Sequence, residues 1–301
     1  MQKTDFIWFN GKLVAWDDAK VHVMTHALHY GGNAFEGIRF YKTDRGPAIF
    51  KLNAHVDRLL HSAQALKMPV AYTRDEIFNA IIEVVRVNQL EAGYIRPMIF
   101  FGYGKIGVNP VGCHTDMAIS CFPWGVYLPH ESVDLKISQY IRIHPKSTDV
   151  TAKLSGHYVN GMLASLELAG THYHEALLLD SEGFISEGVA ENFFMVKDGV
   201  IYTPHLGTIL PGITREVVME LAKKWGYSVI EKQITPAEAF DADEAFFTGT
   251  AAEVTPIRTI EDHRLGLQDV GPITAKIKTA YADIVRGVNP DYTHHLHYVS
   301  P

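Results

Sequence analysis

Gly125-Val-Tyr-Leu-Pro-His-Glu-Ser-Val-Asp-Leu135 is the stretch on which the fold class turns. It keeps neither a helical nor a strand period of apolar residues and it carries turn formers, so it reads as a linker between two unlike halves. Upstream, strands frame two helices. Phe6 to Trp16 reads as a hairpin about Asn10-Gly11, because both turn residues tolerate positive φ. One helix opens near Asn53 and runs to Met68, and a second is announced by Thr73 and Glu76, a capping box ahead of Ile77-Phe-Asn-Ala-Ile-Ile. Strands follow at Gly93–Phe101 and Met117–Phe122. Downstream come a strand near Leu135, a helix from Tyr158 to Ala169 and a tight hairpin at Asp198-Gly199. Helices then start at Thr214 and at Thr235, the latter with a capping box to Glu238, and a last one covers Ile273 to Val285. No repeat or low-complexity segment interrupts this order. The expectation is an α+β protein with a small N-terminal α/β domain over 1–124, a linker over 125–135 and a larger β-rich domain over 136–301.

Composition narrows the function. The chain has 301 residues, 47% hydrophobic and 20% charged, with a net charge of −7 and no long basic run, so it lacks the positive field of a nucleic-acid binder. No apolar run approaches the ~20 residues of a membrane helix, and the start reads as hairpin and not as a signal peptide, which points to a cytoplasmic protein without a membrane partner. Cys113 and Cys121 are the only cysteines, and Cys121 lies in an apolar run where a buried free thiol is expected. Gly102-Tyr-Gly104-Lys-Ile-Gly107 has dinucleotide-fingerprint spacing, but Pro110 and Gly112 follow where that motif needs a helix, so it reads as a mobile glycine loop. His22, His26 and His29 lack further ligands at metal spacing and read as packing residues. His294, His295 and His297 lie in a polar tail where disorder or a subunit contact is expected, and no metal is expected at either cluster.

Four segments carry chemistry when taken together. In Asp149-Val-Thr-Ala-Lys153-Leu-Ser-Gly156-His-Tyr158-Val-Asn160, Lys153 stands among small uncharged side chains before a helix, a setting that suits a nucleophilic amine. A lone lysine is ordinarily a solvated surface charge. Gly183-Phe-Ile-Ser-Glu187-Gly188-Val-Ala-Glu191-Asn192 places two carboxylates in a glycine-bearing turn, which is a plain polar turn unless a ligand faces it. Leu210-Pro-Gly212-Ile213-Thr214-Arg opens a helix whose free amides and hydroxyl suit an anion; alone it is an N-cap. Phe247-Thr-Gly249-Thr250-Ala251-Ala252 ends a strand in small residues, where backbone amides can approach an oxyanion.

Lysine with tyrosine five residues on, the Ile-Ser-Glu-Gly turn, Leu-Pro-Gly-Ile-Thr-Arg and Gly-Thr-Ala-Ala-Glu resemble the fold-type IV pyridoxal-phosphate enzymes, whose fold is that of D-amino-acid aminotransferase. His26-Ala-Leu-His-Tyr30-Gly, Phe35-Glu-Gly-Ile-Arg39, Tyr94-Ile-Arg96-Pro, Gly107-Val108-Asn-Pro and Phe122-Pro-Trp124-Gly bring the resemblance closer to branched-chain aminotransferases, from about residue 6 to 285. The resemblance implies pyridoxal 5′-phosphate as cofactor, held by Lys153 as a Schiff base, with Lys153 also shuttling the proton. It implies that Glu187 faces the ring nitrogen with Glu191 supporting it, and that Tyr158 bonds the ring oxygen. Arg58, the Ile213 and Thr214 amides and the hydroxyls of Thr214 and Thr250 would hold the phosphate.

By the same resemblance the substrate side comprises Phe35, Arg39, Tyr94, Trp124, Tyr127 and Ala252 around an apolar pocket, with Arg96 and Tyr30 for a glutamate carboxylate. Thr250, Ala251 and Ala252 would take the α-carboxylate. Tyr30 and Val108 would reach a neighbouring subunit, which implies at least a homodimer and leaves a hexamer open. The implied reaction transfers the amino group of L-leucine, L-isoleucine or L-valine to 2-oxoglutarate by a ping-pong route in branched-chain amino acid biosynthesis. The partners are thus small amino acids, 2-oxo acids and a second copy of the chain. A fold-type IV D-amino-acid transaminase or aminodeoxychorismate lyase would share the cofactor residues. Leu154 and His157 depart from the small residue and asparagine that many relatives carry beside the lysine.

Overall fold

The computed structural model describes residues 2–125 and 127–299, and divides the chain into two compact units. The first holds residues 1–125, Ala152–Gly156 and Ile284 onward; the second holds 126–151 and His157–Asp283. Two segments expected in the second domain, the lysine segment and the tail, therefore fold with the first unit. Contiguity in sequence misled there, since a few strand hydrogen bonds suffice to move a short segment from one core to another.

The first unit is built from β1 (Phe6–Phe9), β2 (Lys12–Ala15), α1 (His26–Tyr30), β3 (Asn33–Phe35), β4 (Ile38–Thr43), β5 (Gly46–Phe50), α2 (Leu52–Ala65), α3 (Arg74–Val87), β6 (Gly93–Phe101) and β7 (Thr115–Phe122). Asn10 at φ 47° and Gly11 at φ 86° make the β1–β2 turn, with Phe9 opposite Lys12. On α2, Leu52, Val56, Leu59 and Ala63 recur at helical spacing and are buried. His55 and Ser62 are buried on the same helix, so both need partners within the core. Thr73 and Glu76 exchange the two bonds of a capping box at the start of α3, which buries Ile77, Ala80, Ile81 and Val84. These faces join Ile38, Phe40, Ile49, Ile95 and Ile119 of the sheet in one core, to which Ala152 and Leu154 also belong.

The second unit contains β8 (Val133–Ile137), α4 (Val159–Glu167), β9 (Glu175–Leu179), β10 (Ile185–Gly188), β11 (Asn192–Lys197), β12 (Val200–Pro204), α5 (Ile213–Lys224), β13 (Val229–Lys232), α6 (Pro236–Phe240), β14 (Glu244–Gly249), β15 (Glu253–Ile260), β16 (His263–Arg264) and most of α7 (Pro272–Val285). The end of the expected linker is strand. Asp134 looked like a turn former, but Arg258 and the Thr259 hydroxyl donate to its carboxylate and allow it to be buried in β8. The sheet runs β10-β9-β8-β15-β14-β11-β12-β13, and β10 also pairs with β11, so its first six strands close into a barrel. Phe193 and Phe247 lie in the core on one face of β11–β14, while Phe194 and Phe246 stack 5.0 Å apart on the other.

The tail is ordered up to the last described residue. Leu296–Tyr298 form β17, which pairs with β5 at the edge of the first sheet, and Tyr292, Leu296 and Val299 are buried. The expectation of disorder gave too little weight to these apolar residues around the histidines. Among the described residues the two cysteines are free and buried, and burial pushes the Cys121 thiol up to about 12. Residues 102–114 are a loop followed by β7, with no helix after the glycines. No described helix is long and apolar enough to cross a membrane. Among the described residues, no group of three or more His, Cys, Asp or Glu side chains could hold a metal.

His295 supplies a test of the tail. Burial, with Lys51 and His294 adding to it, pushes its imidazole down to about 4. An unfolded chain takes up this proton near pH 6.5, so between about pH 6.5 and 4 the unfolded state binds more protons and stability falls with pH. Melting curves of wild type and His295→Phe should diverge across that window, the wild type losing roughly 3 °C more. Parallel curves would show that the ring is solvated.

Candidate active site

In the first unit the backbone of Lys153 is fixed from two sides. The Phe35 N–H donates to the Lys153 carbonyl at 3.1 Å, and the Lys153 N–H donates to Ser62 Oγ at 2.8 Å. Ala34 bridges Leu154 in antiparallel fashion, and Asn33 Nδ2 donates to Ser155 Oγ at 2.7 Å. Leu154, one of the two departures beside the lysine, is thereby spent on the hydrophobic core. Lys153 Nζ lies 5.1 Å from the centre of the Phe35 ring, and the Arg96 guanidinium carbon lies 5.0 Å from the same ring. Two cations thus share one aromatic face system, which favours both by its quadrupole. Arg96 Nε is buried with no hydrogen-bond partner.

Arg58 stands one helical turn before Ser62, and its Nε donates to Glu36 Oε1 at 2.6 Å while Nη2 donates to Oε2 at 3.0 Å. His55 Nδ1 is 2.8 Å from Glu36 Oε2, and the Gly37 N–H donates there as well. Glu36 has no exposed surface. Burial alone would raise its carboxyl, but the charge of Arg58 and the bonds from Arg58 and His55 hold it well below the usual range. His55, equally buried, is pushed down by desolvation in spite of Glu36, so at neutral pH it is the uncharged member of the group. A Cβ on Gly37 would sit 1.8 Å from Tyr94 Oη, so only glycine lets that hydroxyl cross the chain here. Tyr94 stacks on Trp124 at 5.1 Å, and Arg39 Nη2 donates to the Gly125 carbonyl, which ties down the end of this segment. Tyr30 and Val108 lie instead on exposed surface with Val23, Leu28, Ile106 and Val111. His26 joins these two segments, its Nε2 lying 2.8 Å from the Gly107 carbonyl.

In the second unit Glu187 sits where β10 closes the barrel against Asn192. Its Oε1 accepts from Arg142, and its Oε2 accepts from Asn192 Nδ2 at 3.0 Å and from the Leu210 N–H at 3.1 Å. Asn192 and Arg142 are thus side chains that hold Glu187, while Glu191 Oε2 accepts from the Ala190 N–H. A Cβ on Gly212 would lie 1.8 Å from Asn192 Oδ1, so the glycine ahead of α5 is required by space. No side chain caps α5, which leaves its first amides and the buried Thr214 as anion donors. The register sets Thr248 opposite Asn192, on the face turned to residues 210–212, and its hydroxyl is buried there without a partner. Thr250, Ala251 and Ala252 form the turn between β14 and β15. Tyr127 is half-buried ahead of β8, and Tyr158 ends a short 3-10 helix beside the buried His157, whose Nε2 is 2.8 Å from Thr148 Oγ1. These features fit an anionic, ring-nitrogen-bearing cofactor: an open helix N-terminus, an orphaned hydroxyl and a buried carboxylate held by three donors.

The family model for class IV amino-transferases matches residues 33–260. This chain belongs to the class IV aminotransferases. A Pseudomonas aeruginosa relative named branched-chain-amino-acid aminotransferase is 46% identical over 285 residues, 93% of each chain. The relative of that name from Escherichia coli strain K12 is 43% identical over 296 residues, 96% of each. A T.th. branched-chain amino acid aminotransferase, solved in complex with N-(5′-phosphopyridoxyl)-L-glutamate, superposes with a TM-score of 0.95 at 41% identity over 100% of both chains. It has also been solved with 4-methylvaleric acid. Within this aminotransferase, sequence reading did not single out Glu36, His55, Ser62, Arg142 or Asn192. Each is a polar residue in an apolar or turn context, and only its partner in space gives it meaning.

Glu36 gives a stability prediction. Removing it leaves Arg58 and His55 with an uncompensated buried site, so Glu36→Ala should cost about 3 kcal/mol, seen as a lower urea midpoint, and Glu36→Gln less. Because its native value lies below the ordinary one, its contribution is complete above about pH 4.3 and is lost only as pH falls further. An unchanged midpoint at pH 7 would refute the role given to Glu36.

Proposed function

We propose that this aminotransferase uses pyridoxal 5′-phosphate to move the amino group of L-leucine, L-isoleucine or L-valine to 2-oxoglutarate, in the cytoplasm and as part of branched-chain amino acid biosynthesis. The observation that carries this reading is the full-length likeness to an enzyme solved both with a phosphopyridoxyl-glutamate compound and with 4-methylvaleric acid, the carbon skeleton of leucine. One pocket taking both shapes needs apolar walls and a cation.

When bound, the cofactor supplies an aldehyde for the amino group and a ring that delocalises charge from Cα. Lys153 Nζ would carry the cofactor and, once the amino donor has displaced it, would take the proton from the substrate Cα and pass it to the cofactor, the reverse transfer serving the second substrate. Glu187 would face the proton of the ring nitrogen, and the donors on its two oxygens fix where the carboxylate points. Tyr158 bonds the ring oxygen. Arg58, the Ile213 and Thr214 amides and the Thr214 and Thr250 hydroxyls bind the phosphate, a cation joined to a helix N-terminus. Phe35, Tyr94, Trp124, Tyr127 and Ala252 wall the pocket and exclude water, with Arg39 securing the segment that bears Trp124. Arg96 with Tyr30 receives the glutamate side chain, while Thr250 and the Ala251 and Ala252 amides orient the α-carboxylate. The two substrates use this pocket in turn, the first leaving as a 2-oxo acid before the second enters. The exposure of Tyr30 and Val108, with other apolar residues of their two segments, supports a homodimer in which these residues serve the neighbouring copy.

Protein saturated with the cofactor should absorb in the visible, and Lys153→Ala should abolish the band; a colourless wild type would overturn the reading. Arg96→Leu should reduce turnover of glutamate and 2-oxoglutarate by ~100-fold, with the leucine half-reaction much less affected. Equal losses in both half-reactions would remove Arg96 from the carboxylate site. A coupled assay with D-alanine in place of L-leucine separates the D-amino-acid alternative.

A further inference from the structure

Ser62 is a buried polar residue on a core-facing helix, and a serine in such a place often only returns its hydroxyl to its own helix. It does that here, donating to the Arg58 carbonyl at 2.8 Å. A hydroxyl has a single proton, so with that proton given to Arg58 its lone pairs face away and can accept. What they accept is the N–H of Lys153 at 2.8 Å, across a sequence separation of 91 residues. The carbonyl of the same residue accepts the Phe35 N–H at 3.1 Å. Ser62 thus joins the backbone of the lysine to the helical turn that bears Arg58, whose guanidinium is in turn fixed on Glu36.

We propose that Ser62 is a positioning residue that sets Lys153 at a fixed distance from Arg58, so that a ligand held through its phosphate presents its aldehyde to the lysine amine. The proposal rests on the assignment of Lys153 and Arg58 made above. Ser62 touches neither the substrate nor the reacting atoms. Its loss leaves the Lys153 N–H without its Ser62 acceptor inside the core and lets the residue 152–156 segment shift, while Arg58 keeps its own bonds to Glu36. A phosphate ligand that cannot bond to the lysine should therefore bind as before, and one that can should bind less well.

The test measures binding of two ligands to the apo-protein by calorimetry. Pyridoxal 5′-phosphate has an aldehyde with which the Lys153 amine condenses, releasing water. Pyridoxamine 5′-phosphate carries an amine there and reports the phosphate and ring contacts alone. Ser62→Ala should weaken the aldehyde form by about tenfold and leave the amine form within twofold. Ser62→Thr, which keeps the hydroxyl, should restore the ratio. If Ser62→Ala does not yield folded protein, Ser62→Cys, close in size and a weak hydrogen-bond partner, reads the same ratio. An unchanged ratio, or equal weakening of both ligands as expected of a merely structural residue, overturns the proposal. Wild type that binds both forms equally would instead refute the Lys153 assignment, and the Ser62 role with it.

Discussion

A carboxylate without access to water sets the geometry of the first unit. An unpaired charge of this kind would be too costly to keep, so Glu36 is tolerable only while Arg58, His55 and the Gly37 amide all point at it. That requirement fixes the approach of α2 to the junction between β3 and β4. Its neighbours in sequence then act on other parts of the site: Phe35 holds the lysine backbone, and Gly37 makes room for the Tyr94 hydroxyl. Three consecutive residues thereby relate a lysine, an arginine and an aromatic wall that lie far apart along the chain.

The second unit solves a similar problem with a closed sheet. Glu187 and Asn192 are the pair through which β10 meets β11, so the strand bonds that shut the barrel also define the distance between the carboxylate and the amide that supports it. Arg142 completes the arrangement from a loop. Asn192 also forces a glycine at position 212, and that glycine leaves α5 uncapped. Support for the acid and openness of the helix terminus are consequences of one side chain.

Much of this was legible in the sequence where the signal is local. The Asn10-Gly11 and Asp198-Gly199 turns, the capping boxes at Thr73 and Thr235 and the strand over Gly93–Phe101 depend on neighbours within a few residues, and they stand as read. The motifs around Lys153, Glu187, Thr214 and Thr250 were legible because unusual residues crowd together in them. What escaped depends on pairing across the chain. The partnership of Ser62 with Lys153, the return of β17 to β5 and the burial of Asp134 beside Arg258 leave no trace in the periodicity of their own segments. Asn192 escaped because an amide at the end of a polar turn has no signal of its own until Glu187 is placed opposite it, where its Nδ2 donates to the carboxylate.

The strand β17 bears on how the protein is made. The edge of the first sheet is supplied by residues 296–298, and the lysine segment of that unit by residues 152–156, although most of the second unit is encoded between them. A ribosome adding ~5–20 residues per second therefore finishes the strands of the second unit's barrel well before it releases β17 of the first unit's sheet. For this chain the usual order, in which an N-terminal domain is complete before the next begins, is not available, and the first unit must wait as an unfinished sheet until residues 296–298 have been made.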